Sequence, residues 1–356
     1  MTTPLYLDTE TFCEVPIANG THRYAESAEI IMWQWAVGDG PVIVRDGDEN
    51  IDDLLALLAD SQYEIVIHNS AFDRTVMRHN GITIPVNRIF DTMICAQAHS
   101  LPGALRLLCE VLRLPTDKAK DKEGKAWIQL FCKPQPKGRK LRRATRETHP
   151  IEWQRFREYG KLDIVAMREV YKKLPRWNYK IGHAEHDLWC LDQRINDRGV
   201  LMDLELAHSA IRACARAQEI HGADVARLTD GAVQTTGQRD KMLGFILEAH
   251  GVLLPDLTGS TLKRLVNDPD LPAELRELLA VRLQSSKTSV SKYKRVINGV
   301  SPDGRLRGLL AFCGAGRTGR WSGRLFQPQN LPGPTLKNDA IERGIEALKA
   351  NAEDLI

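Results

Sequence analysis

The sequence has 356 residues, of which 43% are hydrophobic and 27% charged, and these values exclude a mostly disordered chain. Its 49 basic and 46 acidic residues give a net charge of +3, too balanced to identify a partner. Seven scattered cysteines without a C-x-x-C pair argue against a zinc knuckle or a disulfide scaffold. No apolar run approaches the roughly 18 residues of a membrane helix, and the N-terminus does not resemble a signal peptide. We therefore expect a soluble, cytoplasmic protein without a membrane partner.

The first quarter of the chain alternates between strand and helix patterns. Apolar runs and helical spacing predict five strands and two helices: strands at 5–11, 30–37, 42–45, 64–68 and 89–91, and helices at 51–59 and 71–79. Such alternation predicts a layered α/β sheet. The pattern changes at 115–150, where 133–146 holds seven basic residues and no acidic one. We expect this stretch to be an inserted loop, followed by a helix at 151–173.

Beyond residue 176 nearly every pattern is helical. Predicted helices lie at 184–198, from an Asp203 N-cap to about 229, after a Ser260 cap, from Pro272 to about 298, and at 340–350. A segment rich in glycine and arginine interrupts them at 301–332. We therefore predict three domains: 1–176 with the insertion 115–150, 177–300, and 301–356.

Two acidic residues end the first predicted strand. Asp8 and Glu10 are two positions apart, so both carboxylates point to one face of the strand. Adjacent anions repel unless a cation lies between them, and Mg²⁺ prefers carboxylate oxygens. A metal site is one interpretation, and two solvated acids at a strand end are the other.

Further acidic positions belong to predicted helices. Asp73 follows Asn69 and Phe72 at a helix start, where alone it would be a capping or dipole-favoured residue. Tyr159 and Asp163 are four positions apart and share a helix face, which alone is commonly a surface contact. Together with the D-x-E strand, however, they form a specific ensemble.

These motifs resemble those of the DnaQ-like 3′–5′ exonucleases, which share a ribonuclease H-like fold. The matching segments are LDTET at 7–11, HNSAFD at 68–73 and YGKLD at 159–163. One branch of the family has a histidine where this chain has Glu158, whereas Tyr159 matches the tyrosine branch. That branch includes the proofreading domains of family A DNA polymerases, and the resemblance covers about residues 1–176.

The resemblance implies hydrolysis of phosphodiester bonds at a 3′ end. Two Mg²⁺ or Mn²⁺ ions would be held by four carboxylates, those of Asp8, Glu10, Asp73 and Asp163. Tyr159 would orient the attacking water or act as its base. Because a phenol with an ordinary pKa of about 10 is mostly protonated at neutral pH, orientation is favoured over deprotonation.

A second signature lies near the C-terminus. One interpretation of this segment is a flexible basic loop. However, TGRWS at 318–322 followed by QNLP at 329–332 resembles the segment of family A DNA polymerases that leads into the palm domain. That resemblance implies minor-groove hydrogen bonds from Arg320, with support from Gln329 and Asn330, and minor-groove acceptors are nearly independent of sequence.

Two basic regions are candidate DNA contacts. The helix ending near 298 carries Lys287 and Lys292 and resembles the thumb of the same polymerases; a solvated basic face is the alternative. The insertion would grip single-stranded DNA near the cleft or form a solvated loop. Its candidate contacts are Arg139, Lys140, Arg142 and Arg143. The expected partner is therefore DNA, as a single-stranded 3′ end and as a primer–template duplex.

The resemblance also predicts what polymerase activity would require. Palm aspartates in D-x-S-x-I-E and H-D-E motifs and a finger helix are expected after QNLP, and none occurs before Ile356. We expect the chain alone to lack nucleotidyl transfer, through truncation or because a second chain carries the missing motifs. The insertion and the W-S-G-R variant are phage-like, which suggests the cytoplasm of a bacterium or of a phage-infected host.

The expected architecture is α/β: a ribonuclease H-like exonuclease domain, a mostly α-helical thumb-like region and the start of a polymerase palm. Two other functions stay open, namely a stand-alone exoribonuclease of the same fold and a non-catalytic half that docks DNA or a second polymerase chain. The palm-like segment argues against the first, because an RNA-trimming enzyme has no need for it. Hydrolysis of single-stranded DNA with Mg²⁺ separates the second from a proofreading exonuclease.

Overall fold

The computed structural model describes residues 2–114, 120–138, 141–287, 290–316, 318–331 and 333–352, with the backbone alone at 120–123 and 286–287. The described residues fall into two compact units. The first contains those of 1–202 and 299–331, and the second contains those of 203–298 and 332–356.

The described residues contain nine strands and fourteen α-helices. The strands are β1 (Thr3–Phe12), β2 (Glu29–Val37), β3 (Ile43–Asp46), β4 (Tyr63–Ile67), β5 (Ile89–Asp91), β6 (Val200–Leu201), β7 (Arg305–Leu306), β8 (Leu310–Ala315) and β9 (Arg320–Gly323). The helices are α1 (Thr21–Ala25), α2 (Asp52–Ala59), α3 (Ser70–His79), α4 (Thr92–Ala98), α5 (Leu105–Val111), α6 (Lys120–Phe131), α7 (Pro150–Lys173), α8 (Ala184–Arg198), α9 (Leu204–Leu228), α10 (Arg239–His250), α11 (Gly259–Val266), α12 (Ala273–Lys287), α13 (Ser291–Gly299) and α14 (Asn338–Lys349). Among the described helices, none is both long and apolar enough to cross a lipid bilayer.

Five strands of the first unit form a mixed sheet with the order β3-β2-β1-β4-β5. β1 is antiparallel to β2 and parallel to β4. On one face of β1, Leu5 and Leu7 are completely buried, as their apolar side chains favour. The alternate residues face α7, where Tyr6 packs edge-on against Tyr171 with ring centroids 5.5 Å apart. The acidic end of β1 therefore also faces α7.

Helix α7 crosses the sheet close to its surface. Pro150 is the first residue of the helix. Its lack of an N–H costs no hydrogen bond there, because the first N–H groups of a helix have no partner within the helix. At Gly160 the helix contacts Gln34 of β2, and a Cβ at this glycine would lie 2.5 Å from the Gln34 Nε2. A larger residue here would have to displace the Gln34 side chain, and the close approach brings Tyr159 and Asp163, on the same helix, close to the sheet.

The insertion at 115–150 is not simply a loop, and this expectation was wrong in part. It contains α6, whose last residue Phe131 is 1% exposed. Phe131 stacks on Phe156 of α7 with centroids 5.4 Å apart and packs edge-on against Trp153. These aromatic contacts are long-range, so the basic run beside them gave no sign of a buried helix.

The second unit is helical, as predicted. Asp203 caps α9 by accepting a hydrogen bond from the Leu206 N–H at 2.9 Å, which confirms its predicted role. The predicted cap at Ser260 is wrong, because Thr258 has the extended backbone of an N-cap and α11 follows it directly. The single helix predicted over 272–298 is instead two, α12 and α13. Helix α10 escaped prediction because no side chain caps its start.

The segment 299–331 belongs to the first unit. β7 pairs with β6, and β8 pairs with β9. Asn196 of α8 bonds to both backbone groups of Leu310, accepting from its N–H at 2.9 Å and donating to its carbonyl at 3.1 Å, as a neighbouring strand would. The compact units therefore differ from the boundaries near 176 and 300, which stay predictions about polymerase domains.

Candidate active site

Three carboxylates converge beside the end of β1. Among the described residues, Asp8, Glu10 and Asp163 form a group in which one oxygen from each lies within 4.8 Å of the others. The strand period brings the first two together, and α7 contributes the third. The register of β1 with β2 shifts directly after Glu10, at a bulge. Bulges redirect side chains, and they are frequent beside active sites.

Asp73 lies next to this group without being one of its three members. It is 3% exposed in the first turn of α3. Its Oδ1 accepts two hydrogen bonds from Thr9, one from the backbone N–H at 3.2 Å and one from Oγ1 at 2.5 Å. Since Thr9 stands between Asp8 and Glu10, the fourth predicted carboxylate lies against the strand that carries the first two.

Burial makes this acidic group electrostatically unfavourable in the absence of a cation. It raises the pKa of Asp8 to about 6. Burial, followed by the charges of Asp8 and Asp163, raises the pKa of Glu10 well above its ordinary value. Burial and the charge of Asp8 do the same to the pKa of Asp73. A divalent cation would offset this repulsion, and an all-oxygen donor set suits Mg²⁺ or Mn²⁺, so the residues fit such a metal.

Tyr159 shares the face of α7 that carries Asp163. Its ring is nearly parallel to that of Phe156, with centroids 6.4 Å apart. Burial, followed by the charges of Asp163 and Glu10, raises the pKa of the Tyr159 phenol far above its ordinary value. A hydrogen bond to Asp163 adds to this effect. These effects favour the protonated phenol, which donates a hydrogen bond to Asp163.

Sequence reasoning missed two contacts that the insertion makes with these residues. The Cys132 thiol donates to Glu10 Oε2 at 3.6 Å, and burial followed by the Glu10 charge raises the pKa of the thiol well above its ordinary value. Gly124 of α6 packs against Tyr159, where an added Cβ would lie 2.6 Å from Cζ. No local pattern signals either contact, because each joins distant parts of the sequence.

The predicted DNA contacts of the insertion have internal partners where they are described. The four residues are Arg139, Lys140, Arg142 and Arg143. The first two lie outside the described residues. Arg142 donates to the Gln135 carbonyl at 2.7 Å, whereas Arg143 pairs with Glu29 at 2.7 Å and lies 4.2 Å from the ring centroid of Phe12. Phosphate contact by these residues stays a prediction.

The remaining predicted DNA contacts lie in both units. They are Lys287, Lys292, Arg320, Gln329 and Asn330. Lys292 is on α13, and the side chain of Lys287 is outside the description. Arg320 is exposed at the start of β9, and Asn330 donates to Gln327 Oε1 at 3.0 Å. The Gln329 amide packs on Gly323, where a Cβ would lie 2.6 Å from its Cδ. Their contact with DNA also stays a prediction.

A partly buried ion network anchors α3, the helix that carries Asp73. Arg74 donates to Asp197 of α8 at 2.7 and 2.9 Å. Arg78 lies 2.8 Å and His22 3.1 Å from the same carboxylate. Burial alone would raise the pKa of Asp197, but the hydrogen bonds from His22 and Arg74 bring it below its ordinary value. The network therefore joins α3 to α8 within the first unit.

Comparisons with known proteins agree with this geometry. Residues 2–176 match a protein-family model described as a 3′–5′ exonuclease. The DNA polymerase of Bacillus phage SP02 is 33% identical over 339 residues, which are 92% of this chain and 51% of that polymerase. The chain thus spans about half the length of this curated relative.

A solved polymerase structure is similar to this chain in fold. The POL domain of Pol1 from M. smegmatis, in complex with DNA primer-template and dNTP, matches 94% of this chain and 53% of its own at 15% identity and a TM-score of 0.52. Escherichia coli RNase D, an exoribonuclease, matches 80% of this chain and 70% of its own at 18% identity and a TM-score of 0.35. The predicted α/β architecture, a ribonuclease H-like domain with a helical region after it, is confirmed. Residues 2–176 are therefore a 3′–5′ exonuclease domain of the kind found in family A DNA polymerases, and the chain as a whole is similar to about half of a phage DNA polymerase.

Proposed function

We propose that the acidic group is the metal-dependent catalytic centre of this exonuclease domain, and that it removes nucleotides from DNA 3′ ends as the proofreading part of a DNA polymerase. The observation that carries the proposal is the convergence of Asp8, Glu10 and Asp163 within 4.8 Å, on a domain of the 3′–5′ exonuclease family. The raised pKa values of Asp8 and Glu10 support it, because they mark a site that is unfavourable until a cation binds.

Each proposed catalytic residue has a separate task. Asp8, Glu10 and Asp163, together with Asp73, would hold two Mg²⁺ or Mn²⁺ ions. When bound, such ions supply an activated water and positive charge for the leaving 3′-oxygen. Tyr159 would orient the attacking water by a hydrogen bond, since its hydroxyl is within hydrogen-bond reach of the proposed metal ligand Asp163.

The choice of DNA as substrate rests on resemblance together with one structural feature. The phage relative is a DNA polymerase, and this chain matches about half of it. The exposed Arg320 on β9 leaves a guanidinium available for the acceptors of a DNA minor groove. The same proposal includes three further expectations. A complete protein would have polymerase activity, a second chain would carry the missing palm motifs if the polymerase is split, and the protein would be cytoplasmic.

The test is hydrolysis of a 5′-labelled single-stranded DNA by the full chain with Mg²⁺ or Mn²⁺. We expect a ladder of products shortened from the 3′ end, and loss of this activity to background in the Asp8→Ala/Glu10→Ala double variant. Glu158→Ala is the matched control. This acid is also on α7, but it is exposed and pairs with Lys161 at 2.6 Å.

Other results would contradict the proposal in distinct ways. Undiminished hydrolysis by the double variant would rule out the acidic group as the catalytic centre. Faster trimming of an RNA of the same sequence would favour an exoribonuclease. DNA binding by the wild type without any hydrolysis would favour the third function, a non-catalytic module that docks DNA.

A further inference from the structure

The insertion touches two of the proposed catalytic residues, and it does so through two different residues of its own. Gly124 of α6 packs against Tyr159, and Cys132, which follows α6 directly, donates to Glu10. We infer that Gly124 and Cys132 are positioning residues of the nuclease reaction: the first sets the location of the Tyr159 hydroxyl, and the second orients the Glu10 carboxylate. The inference rests on the proposed function, since it concerns the same site.

Gly124 is at a position where any side chain would displace the phenol. An added Cβ would lie 2.6 Å from Tyr159 Cζ and 3.0 Å from its Oη, closer than side chains pack. Glycine in a helix interior is about 1 kcal/mol less favourable than alanine, so helix propensity alone disfavours it here. The gain is close approach, because the α6 backbone borders the hydroxyl end of the ring, which the parallel ring of Phe156 also confines.

Cys132 acts on the other side of the site, on a proposed metal ligand. It is 7% exposed, and its thiol lies 3.6 Å from Glu10 Oε2, within the range of a sulfur hydrogen bond. A hydrogen-bond donor behind a metal-binding carboxylate fixes which oxygen is turned to the ion and in which direction. Cys132 therefore orients Glu10 through this hydrogen bond.

The apolar residues of α6 explain why these contacts can be maintained. Trp127 and Ile128 pack against the same hydrophobic cluster as Phe131, which also contains Phe12 of β1 and Phe156 of α7. Cys132 is itself part of this cluster, and Tyr159, the residue that Gly124 contacts, packs against it. Positioning groups work when their own supports are packed in place, and this cluster is such a support.

The test of Gly124 is the Gly124→Ala variant of the full chain, assayed for nuclease kinetics on single-stranded DNA. We expect kcat to fall about ten- to a hundredfold, with KM nearly unchanged, because the phenol moves while DNA binding does not depend on it. In a Tyr159→Phe background the same substitution should change kcat less than about twofold, since no hydroxyl is left to displace. Equal losses in both backgrounds, or a Tyr159→Phe enzyme as active as the wild type, would overturn this part.

The test of Cys132 is the concentration of Mg²⁺ that gives half-maximal rate. We expect Cys132→Ala to raise it about tenfold, and Cys132→Ser, which keeps a donor, to recover most of the loss. A metal requirement identical in Cys132→Ala and the wild type would overturn the role assigned to the thiol. A serine variant no better than alanine would do the same, because the loss would then reflect packing.

Matched controls separate this inference from the proposed function. Gly244→Ala, in α10, adds a Cβ that meets nothing within 4 Å, and Cys190→Ala removes a buried thiol whose neighbour is His186. Both should leave kcat and the Mg²⁺ requirement unchanged. A wild-type chain without metal-dependent hydrolysis would refute the proposed function. An active wild type, inactivated by Asp8→Ala but unaffected by Gly124→Ala and Cys132→Ala, would refute this inference alone.

Discussion

Thr9 donates both its backbone N–H and its hydroxyl to one oxygen of Asp73, at 3.2 and 2.5 Å. The hydroxyl contributes one of these two hydrogen bonds, which join the acidic end of β1 to α3. We expect Thr9→Val, which keeps the shape and removes the hydroxyl, to lower kcat about tenfold by freeing the Asp73 carboxylate. Thr9→Ser should retain most of the activity. Equal rates for Thr9→Val and the wild type would show that the N–H alone holds Asp73.

The acidic group predicts a metal effect on stability that depends on pH. The pKa of Asp8 in the folded chain is about 6, above its ordinary 3.8, so the folded form binds this proton more tightly than the unfolded chain. Without metal, stability should therefore fall as the pH rises through about 6. Added Mg²⁺ should raise the Tm more at pH 7.5 than at pH 5.5, because protons compete with the ion at the lower pH.

Thermal unfolding with Mg²⁺ and with EDTA at the two pH values measures this effect. The Asp8→Asn variant is the control, and its Tm should respond less to both pH and metal. A larger metal-induced shift at the lower pH would contradict the assignment of the site to these carboxylates.

The ion network around Asp197 predicts a loss of stability and its pH dependence. Asp197→Asn removes the charge that Arg74 and Arg78 share, and losing charged hydrogen bonds of this partly buried kind costs about 2 kcal/mol of unfolding free energy. Because the pKa of folded Asp197 lies below its ordinary 3.8, this contribution is complete above about pH 4 and is lost as the pH falls through the folded pKa. The difference between wild type and variant should therefore narrow on acidification.

Denaturant unfolding of the wild type and of Asp197→Asn, measured from pH 7 down to below about pH 4, checks the prediction. Asp303→Asn is the matched control, since Asp303 pairs with Arg307 at 2.6 Å but is half exposed, and it should change stability little. An Asp197→Asn protein as stable as the wild type at pH 7 would mean that the network contributes nothing to the fold.

The insertion predicts different behaviour for its individual arginines. Arg143 is engaged with Glu29 and with the ring of Phe12, so Arg143→Ala should destabilise the first unit by about 1 kcal/mol through the lost cation–π contact. The salt dependence of DNA binding should stay the same. A slope of log affinity against log salt that falls by about one would instead show that Arg143 contacts a phosphate. The slope measured for Arg143→Ala is compared with that of the Arg139→Ala/Lys140→Ala double variant, which removes two other predicted DNA contacts of the insertion.

Much of the fold was predictable because its first domain follows short periods. The apolar strands at 30–37 and 89–91 and the helix before Asn80 all appear where their patterns indicate. Among the elements that were missed, α6 depends on long-range burial. In the sequence, Phe131 is simply an aromatic residue beside a basic run. Its burial becomes visible only in the fold, where it packs against Phe156 and Trp153.

The amino-acid order by itself determined which side chains share a face. A strand repeats every two residues and a helix about every 3.6, so Asp8 is paired with Glu10, and Tyr159 with Asp163, before any packing occurs. Only the tertiary structure decided what surrounds them, including the bonds from Thr9 to Asp73 and from Cys132 to Glu10. These partners lie 64 and 122 positions apart, and packing between such distant segments is not encoded in any local period.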